Sequence, residues 1–208
     1  MDIRTAARLA KAVYTGQRHV DGWEMQHTTG TIALFKRPGD TTQVIAYRGT
    51  DVRDMSDLAT DLQLFITGGT LRTFLMPLGP KVKDRCQQAV DYARRAVGGS
   101  DTSDPSPLTI HVGHSLGGTC ALRACYATGG QCFAFEPYVP PRMPWSDLLY
   151  RPGMTICGNK RDPIFAETLL DRWLRPGSRR ATWVVVNRAG SGPDFADRIG
   201  HGLEQWMR

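Results

Sequence analysis

The sequence has no run of about 18 consecutive apolar residues, so it predicts no membrane-spanning helix. The N-terminal segment carries the charged side chains of Asp2, Arg4 and Arg8, where a secretory signal peptide would need an apolar core. We therefore expect a cytoplasmic protein. Export by another route, or packaging in a virion, stays open as an alternative.

The sequence also lacks the cysteine patterns of a metal site or of a disulfide framework. Its 5 cysteines are an odd number, and no two of them form a C-x-x-C pair. We expect reduced, mostly buried thiols, as in proteins of a reducing compartment. No metal and no cofactor are predicted.

Acidic residues are in the minority, with 20 Asp and Glu against 26 Lys and Arg and a net charge of +6. The basic residues are scattered and no recognised nucleic-acid-binding module accompanies them, so we expect no nucleic acid partner. A solvated basic surface is the simplest interpretation. The alternative is transient contact with an anionic membrane surface, such as phospholipid head groups. The oligomeric state is not predicted.

The remaining composition is that of a globular protein. A length of 208 residues with 41% hydrophobic and 22% charged residues suits one domain with a sizeable core. No internal repeat and no linker of domain-boundary character interrupts the chain. We expect a single domain over residues 1–208.

A serine between glycines is the most informative motif. The stretch 108–112 has strand character, and Gly113, Ser115 and Gly117 follow it as Gly-x-Ser-x-Gly. A helix-forming run begins at Leu116. This is the nucleophile-elbow pattern, in which a tight strand-to-helix turn exposes the serine and leaves no room for side chains two residues away. The alternative is a glycine-rich turn with an incidental serine.

Strands alternate with helices along the chain, which predicts an α/β fold with a central, mostly parallel sheet flanked by helices. The sequence Pro38-Gly39-Asp40 is typical of a turn and predicts a hairpin between the first two predicted strands. The predicted helices are 2–14, 54–65, 80–97 and the run after Ser115; the predicted strands are 30–36, 42–47, 108–112, 131–135, 154–157 and 181–186.

A single histidine, His201, follows the serine in the sequence. A serine hydroxyl needs a base within hydrogen-bond reach and a group to orient that base. In folds with this elbow the chain order is serine, then an acid, then histidine. His201 is therefore the candidate base, and the alternative is a solvated histidine near a C-terminal helix.

Asp162 is the favoured acid. It follows strand 154–157 by a short turn and precedes Pro163, and catalytic groups in open parallel sheets lie just past the carboxyl ends of strands. Asp194 and Asp197, which come after the last predicted strand and close to His201, stay open as alternatives. Asp162 could also be an ordinary turn aspartate.

Four motifs occur in an order that resembles a known family. They are Tyr47-Arg-Gly-Thr50, Gly113-His-Ser-Leu-Gly-Gly118, Asn159-x-x-Asp162-Pro-Ile164 and His201. The chain resembles the class 3 (fungal-type, triacylglycerol) lipases over most of its length, which implies the α/β-hydrolase fold.

The resemblance also implies a role for each matching residue. Ser115 would be the nucleophile, Asp162 the acid and His201 the base. The backbone N–H groups of Thr50 and Leu116 would form the oxyanion hole. The family's lid follows the Arg-Gly-Thr segment, which points to residues 52–79 as a short lid here.

The function implied by this resemblance is serine carboxylic-ester hydrolysis of lipid esters through an acyl-enzyme on Ser115, as a triacylglycerol lipase or phospholipase A1-like enzyme. An esterase of small soluble esters or a thioesterase could use the same triad. An alternative of another class is a non-catalytic, lipid-binding α/β-hydrolase relative. The apolar cluster within 64–78 is either core or a rim that contacts acyl chains, and no substrate-binding residue is predicted.

Overall fold

The computed structural model describes part of the chain. The described residues are 1–49, 80–98, 108–137, 139, 151–162, 165–166, 168–169, 172, 179–187 and 202–207. The predicted helix 54–65 and the predicted lid 52–79 lie outside them.

The described strands are β1 (His19–Val20), β2 (Trp23–Thr28), β3 (Ile32–Lys36), β4 (Gln43–Tyr47), β5 (Thr109–His114), β6 (Gln131–Phe135), β7 (Met154–Asn159) and β8 (Thr182–Val186). They form one eight-stranded sheet whose spatial order follows the chain order. The first four strands pair antiparallel, and the pairs from β4 to β8 are all parallel. The predicted parallel centre and the predicted hairpin, which is β3 with β4, are therefore confirmed.

Helices cover both faces of this sheet. The described helices are α1 (Ile3–Thr15), α2 (Pro80–Gly98), α3 (Leu116–Thr128) and α4 (Glu204–Met207). Helix α1 begins where the Asp2 side chain accepts a hydrogen bond from the Thr5 backbone N–H at 2.9 Å, and it ends at Gly16, whose φ of 69° is left-handed. None of the described helices is both long enough and apolar enough to cross a bilayer.

Strand β4 shows how the two faces are built. Its side chains alternate, so that Ile45 and Tyr47 pack in one core with residues of α2 and α3, while Val44 and Ala46 pack in a second core with residues of α1 and α4. All four residues are buried. This two-sided burial explains why the strand is a continuous apolar run in the sequence.

The sequence analysis missed β1 and β2 at the antiparallel edge. Strand β2 buries Trp23 but exposes Gln26, His27 and Thr28, and its pairing with β3 shifts register between Met25 and His27. A strand next to the sheet edge, with a register shift and a solvated C-terminal half, has no clear apolar alternation. The sequence pattern therefore does not indicate a strand here.

Candidate active site

Ser115 lies at a sharp turn between β5 and α3. Its φ of 56° and ψ of −127° are unusual for a residue other than glycine. Such strain costs on the order of 1–3 kcal/mol and persists only where the surroundings impose it. Its N–H donates to the Phe135 carbonyl at 2.9 Å, and its carbonyl accepts from the Thr119 N–H at 3.2 Å. The turn is thereby held on both sides, with the half-buried serine at its apex.

The flanking glycines are required by close backbone packing. A Cβ on Gly113 would lie closer than 3.0 Å to the Gly117 carbonyl, and a Cβ on Gly117 would lie as close to the Tyr47 carbonyl and to the backbone of Gly49. Real Cβ atoms essentially never approach other atoms so closely. The Gly-x-Ser-x-Gly spacing is therefore a steric requirement of this turn, as its sequence predicts.

Gly113→Ala should destabilise the fold and distort the elbow. The added methyl has no space beside Gly117, and overpacking a rigid backbone costs about 1–3 kcal/mol or more. Gly98→Ala is the matched control, because a Cβ there meets nothing within 4 Å. We expect urea unfolding to show a loss of about 3 kcal/mol for Gly113→Ala and a change within about 0.5 kcal/mol for Gly98→Ala. Equal stability of the two variants would contradict the steric argument.

Helix α3 begins at Leu116, directly above the strand end. The first N–H groups of a helix have no partner within it, and they form the positive end of the helix dipole. The Ser115 side chain makes no capping hydrogen bond to them. The Leu116 N–H is the first of these groups and directly follows Ser115 in the chain.

The second predicted donor, Thr50, lies outside the described residues, but the Arg48–Gly49 peptide group just upstream of it is held at both ends. The Gly49 N–H donates to the Tyr14 hydroxyl at 2.7 Å, and the Arg48 carbonyl accepts from the Arg85 guanidinium at 2.7 Å. The Arg48 guanidinium lies 5.5 Å from the centre of the Tyr14 ring. This peptide is therefore fixed in orientation.

Gly49 also lies against the elbow. A Cβ built on it would be 3.2 Å from the Ser115 Cβ and 2.6 Å from the His114 carbonyl oxygen. The chain that leads to Thr50 consequently passes directly beside the serine.

Asp162 lies in the turn that follows β7, and its side chain is fully buried. Its N–H donates to the Asn159 carbonyl at 3.1 Å, and its carbonyl accepts from the Ala166 N–H at 3.0 Å. Strand β6 separates β5 from β7, and with strands spaced about 4.8 Å apart the ends that carry Ser115 and Asp162 are about 10 Å apart. An imidazole can span much of this separation.

The remaining candidates lie outside the described residues: His201, the alternative acids Asp194 and Asp197, and Thr50. The chain immediately after His201 is described, and it returns to the same end of the sheet. There the Gln205 side chain accepts a hydrogen bond from the Asn159 amide at 3.0 Å, and its own amide donates to the Gly202 carbonyl at 3.2 Å.

A line of hydrogen bonds connects these elements through residues that the sequence analysis did not select. The Tyr14 hydroxyl bonds His114 Nδ1 at 3.2 Å, and His114 Nε2 bonds a carboxylate oxygen of Glu136 at 3.3 Å. The other oxygen of Glu136 accepts from the Gln205 amide. Glu136 is fully buried and has a left-handed φ of 47°. The line connects the N-terminal helix, the elbow and the C-terminal segment.

The other described histidines lie elsewhere. His111 is buried within β5, where its ring bonds the Tyr47 hydroxyl at 2.9 Å and the Thr128 hydroxyl at 3.2 Å. Burial lowers the pKa of His111 to about 4, so this ring is neutral at pH 7. Its role is in packing. His19 and His27 lie on the antiparallel edge strands.

All five cysteines are free and buried, as the sequence analysis predicts. Burial raises the pKa of Cys132, and burial followed by the charge of Glu136 raises the pKa of Cys157 to about 12. Thiols in such surroundings stay protonated, and reactive cysteines occupy exposed, electropositive sites. Ser115 is therefore a better candidate nucleophile than Cys132 or Cys157.

The sheet is mostly parallel and is flanked by helices, and a strained serine lies at the carboxyl end of a central strand. Together these features define an α/β-hydrolase-like fold. Two solved structures of fungal lipases share it. A triacylglycerol lipase from Penicillium expansum covers 76% of this chain and 68% of its own, with a TM-score of 0.53 and 19% identity. A Rhizomucor miehei lipase in complex with its propeptide matches over 87% of this chain and 65% of its own length, with a TM-score of 0.50 and 16% identity.

The chain thus spans about two thirds of the length of these lipases. No protein-family model matches its sequence, and no curated protein does. At these identities the likeness establishes the fold, and the site has to be argued from its own residues.

Proposed function

We propose that the protein is a serine carboxylic-ester hydrolase that acts on lipid esters. The observation that carries the proposal is the strained backbone of Ser115 at the start of α3. Strain of this kind persists only where surrounding structure imposes it, and it concentrates at functional sites. The likeness to two fungal lipases and the buried Asp162 on a neighbouring loop support the same chemistry.

In the proposed acylation step, the Ser115 Oγ attacks the ester carbonyl carbon while His201 removes the hydroxyl proton. Asp162 orients the imidazole and stabilises its cation. The N–H groups of Leu116 and Thr50 donate to the oxyanion that forms. Such donors stabilise the transition state, and removing one typically costs about 10²- to 10³-fold in rate.

The intermediate then collapses. The bond between the carbonyl carbon and the alcohol oxygen breaks, and His201 gives its proton to the departing alcohol. His201 then removes a proton from water, whose oxygen attacks the carbonyl carbon of the acyl group. The bond from that carbon to the Ser115 Oγ breaks, His201 returns the proton to the Oγ, and the carboxylic acid is released. No cofactor is needed, since every proton is returned within the cycle.

Hydrolysis at an aggregated interface tests the lipid part of this proposal. We expect the rate on a short-chain ester to rise sharply when its concentration passes the aggregation threshold. The net charge of +6 favours anionic surfaces, so vesicles with anionic head groups should support faster hydrolysis than zwitterionic ones, and added salt should remove this difference.

The control for this assay is Ser115→Ala on the same aggregates, which reports any background hydrolysis. A wild-type protein that hydrolyses the monomeric ester with no increase at the interface would be a plain esterase. That result would overturn the lipid substrate while leaving the serine chemistry in place.

A further inference from the structure

We propose that Glu136 is a positioning residue that aligns the active-site segments, because two lines of hydrogen-bond donors converge on its buried carboxylate. The inference rests on the proposed function, since it assigns Glu136 to the Ser115 site. Glu136 follows β6, between the strands that carry Ser115 and Asp162. Its N–H donates to the Cys157 carbonyl at 2.6 Å, which fixes its backbone in the left-handed region.

The first line starts at a backbone N–H. The Gly49 N–H donates to the Tyr14 oxygen, so the Tyr14 proton is directed to His114 Nδ1. His114 is then the Nε2–H tautomer, and its Nε2–H donates to Glu136. Each side chain accepts a hydrogen bond from the group before it and donates one to the group after it, so all the bonds in the line have the same donor-to-acceptor direction.

The second line also starts at a backbone N–H. The Arg161 N–H donates to the Asn159 side-chain oxygen at 3.1 Å, which leaves the Asn159 amide to donate to the Gln205 oxygen. The Gln205 amide in turn donates to Glu136. Backbone N–H groups can only donate, so both lines must end on an acceptor. A carboxylate accepts from both sides, which an amide with one oxygen and one NH2 group cannot do.

These lines contact every segment that the proposed mechanism uses. Gly49 precedes Thr50, and His114 precedes Ser115. Asn159 ends β7 just before the turn to Asp162, and Gln205 holds the carbonyl of Gly202, the residue after His201. Side chains locked by such a supporting network are what hold reacting groups in productive geometry. Glu136 touches no reacting atom in this scheme, and it acts through the four segments.

Glu136→Gln should therefore lower kcat with little change in KM. The glutamine amide would place its NH2 group against either His114 or Gln205, and both of these side chains donate to position 136. If one of them reverses its donor and acceptor atoms to accept from this NH2 group, its next partner faces the same mismatch. The mismatch ends only at a backbone N–H, which cannot accept. Misplacement of about 1 Å remote from the chemistry can cost on the order of 10²-fold. We expect a loss of kcat of this order on a soluble p-nitrophenyl ester.

The double variant Glu136→Gln with Gln205→Glu separates positioning from general damage to the fold. The carboxylate then sits at position 205, where it can accept from the Asn159 amide and from the amide at position 136, while the amide oxygen at position 136 accepts from His114. The donor directions among positions 114, 136, 159 and 205 are restored, whereas the bond to the Gly202 carbonyl is lost, because a carboxylate at position 205 can only accept. We therefore expect a partial recovery of kcat, about tenfold relative to Glu136→Gln. Glu24→Gln, on the edge strand β2, is the charge-matched control and should keep wild-type kcat.

Several results would overturn the proposal. One is a folded Glu136→Gln with wild-type kcat, and another is a double variant no more active than the single one.

If both fold poorly, Tyr14→Phe removes a single hydroxyl of the first line and should lower kcat about tenfold, since it leaves the Gly49 N–H without this acceptor. Wild-type kcat in Tyr14→Phe would contradict the network. A wild-type protein without ester hydrolysis would instead refute the proposed function, and this inference with it.

Discussion

Ser115→Ala is expected to abolish ester hydrolysis, with kcat on a p-nitrophenyl ester reduced on the order of 10⁴- to 10⁶-fold. Removing the Oγ removes the atom that forms the acyl-enzyme, and water held in the oxyanion hole can supply only residual catalysis. The backbone requirement at this position does not change, because alanine meets the same restriction as serine at φ 56°. The thermal midpoint should therefore stay close to that of the wild-type protein.

Ser115→Gly is the informative companion variant. It should be as inactive as Ser115→Ala, but glycine adopts the positive φ of this turn without strain. We expect its stability to equal or exceed that of Ser115→Ala. A wild-type rate in either variant would remove Ser115 from the mechanism, and a Ser115→Gly less stable than Ser115→Ala would contradict the strain at the elbow.

Asp162→Asn is expected to lower kcat by about 10⁴-fold while the fold is retained. An asparagine has nearly the same shape, but its amide favours the wrong imidazole tautomer and no longer stabilises the imidazolium. The measurement is kcat on the same soluble ester, with circular dichroism to confirm that the buried turn is intact.

Asp194→Asn and Asp197→Asn are the matched controls for this prediction, because each makes the same chemical change at the alternative acids. Their kcat should stay within a few-fold of wild type. A loss of about 10⁴-fold in one of them, with Asp162→Asn nearly unaffected, would transfer the role of the acid to that residue.

Local patterns made the central part of the fold predictable. The hairpin of β3 and β4, the strand and helix on either side of Ser115, and the buried strand β6 each have a short apolar run bounded by glycine or turn residues. The close approaches at Gly113 and Gly117 explain why the motif carries so much information. The contact of Gly113 with Gly117 lies within the motif, and the close approach of the Tyr47 and Gly49 backbone requires a glycine at position 117, so both requirements leave a glycine that is visible in the sequence.

Other features depend on contacts between distant segments. Strand β2 is fixed by its pairing with β3, and its exposed polar side gives it no apolar period. Glu136 is one of several acidic residues between Ser115 and His201 in the sequence. Its burial and its bond to Gln205 distinguish it from the others, and both depend on how β6 and the C-terminal segment pack in the fold. Tyr14 was visible only as the end of an apolar helix face, because its partners lie far along the chain.

A signal for this network did exist in the sequence, although it was weak. His114 lies within the elbow motif, where its side chain cannot face the same direction as that of Ser115. A histidine in that place needs partners for two ring nitrogens. The structure supplies Tyr14 on one side and Glu136 on the other.

The most direct test of the account is covalent labelling of the wild-type protein by a fluorophosphonate probe, with the modified residue mapped by mass spectrometry. Trypsin should release Ser115 within the peptide 96–123, whose fragmentation distinguishes it from the serines at 100, 103 and 106. We predict one adduct, on the Ser115 Oγ, and none in Ser115→Ala. A folded wild-type protein that takes up no probe, or that carries it on another residue, would contradict the assignment of Ser115 as an activated nucleophile.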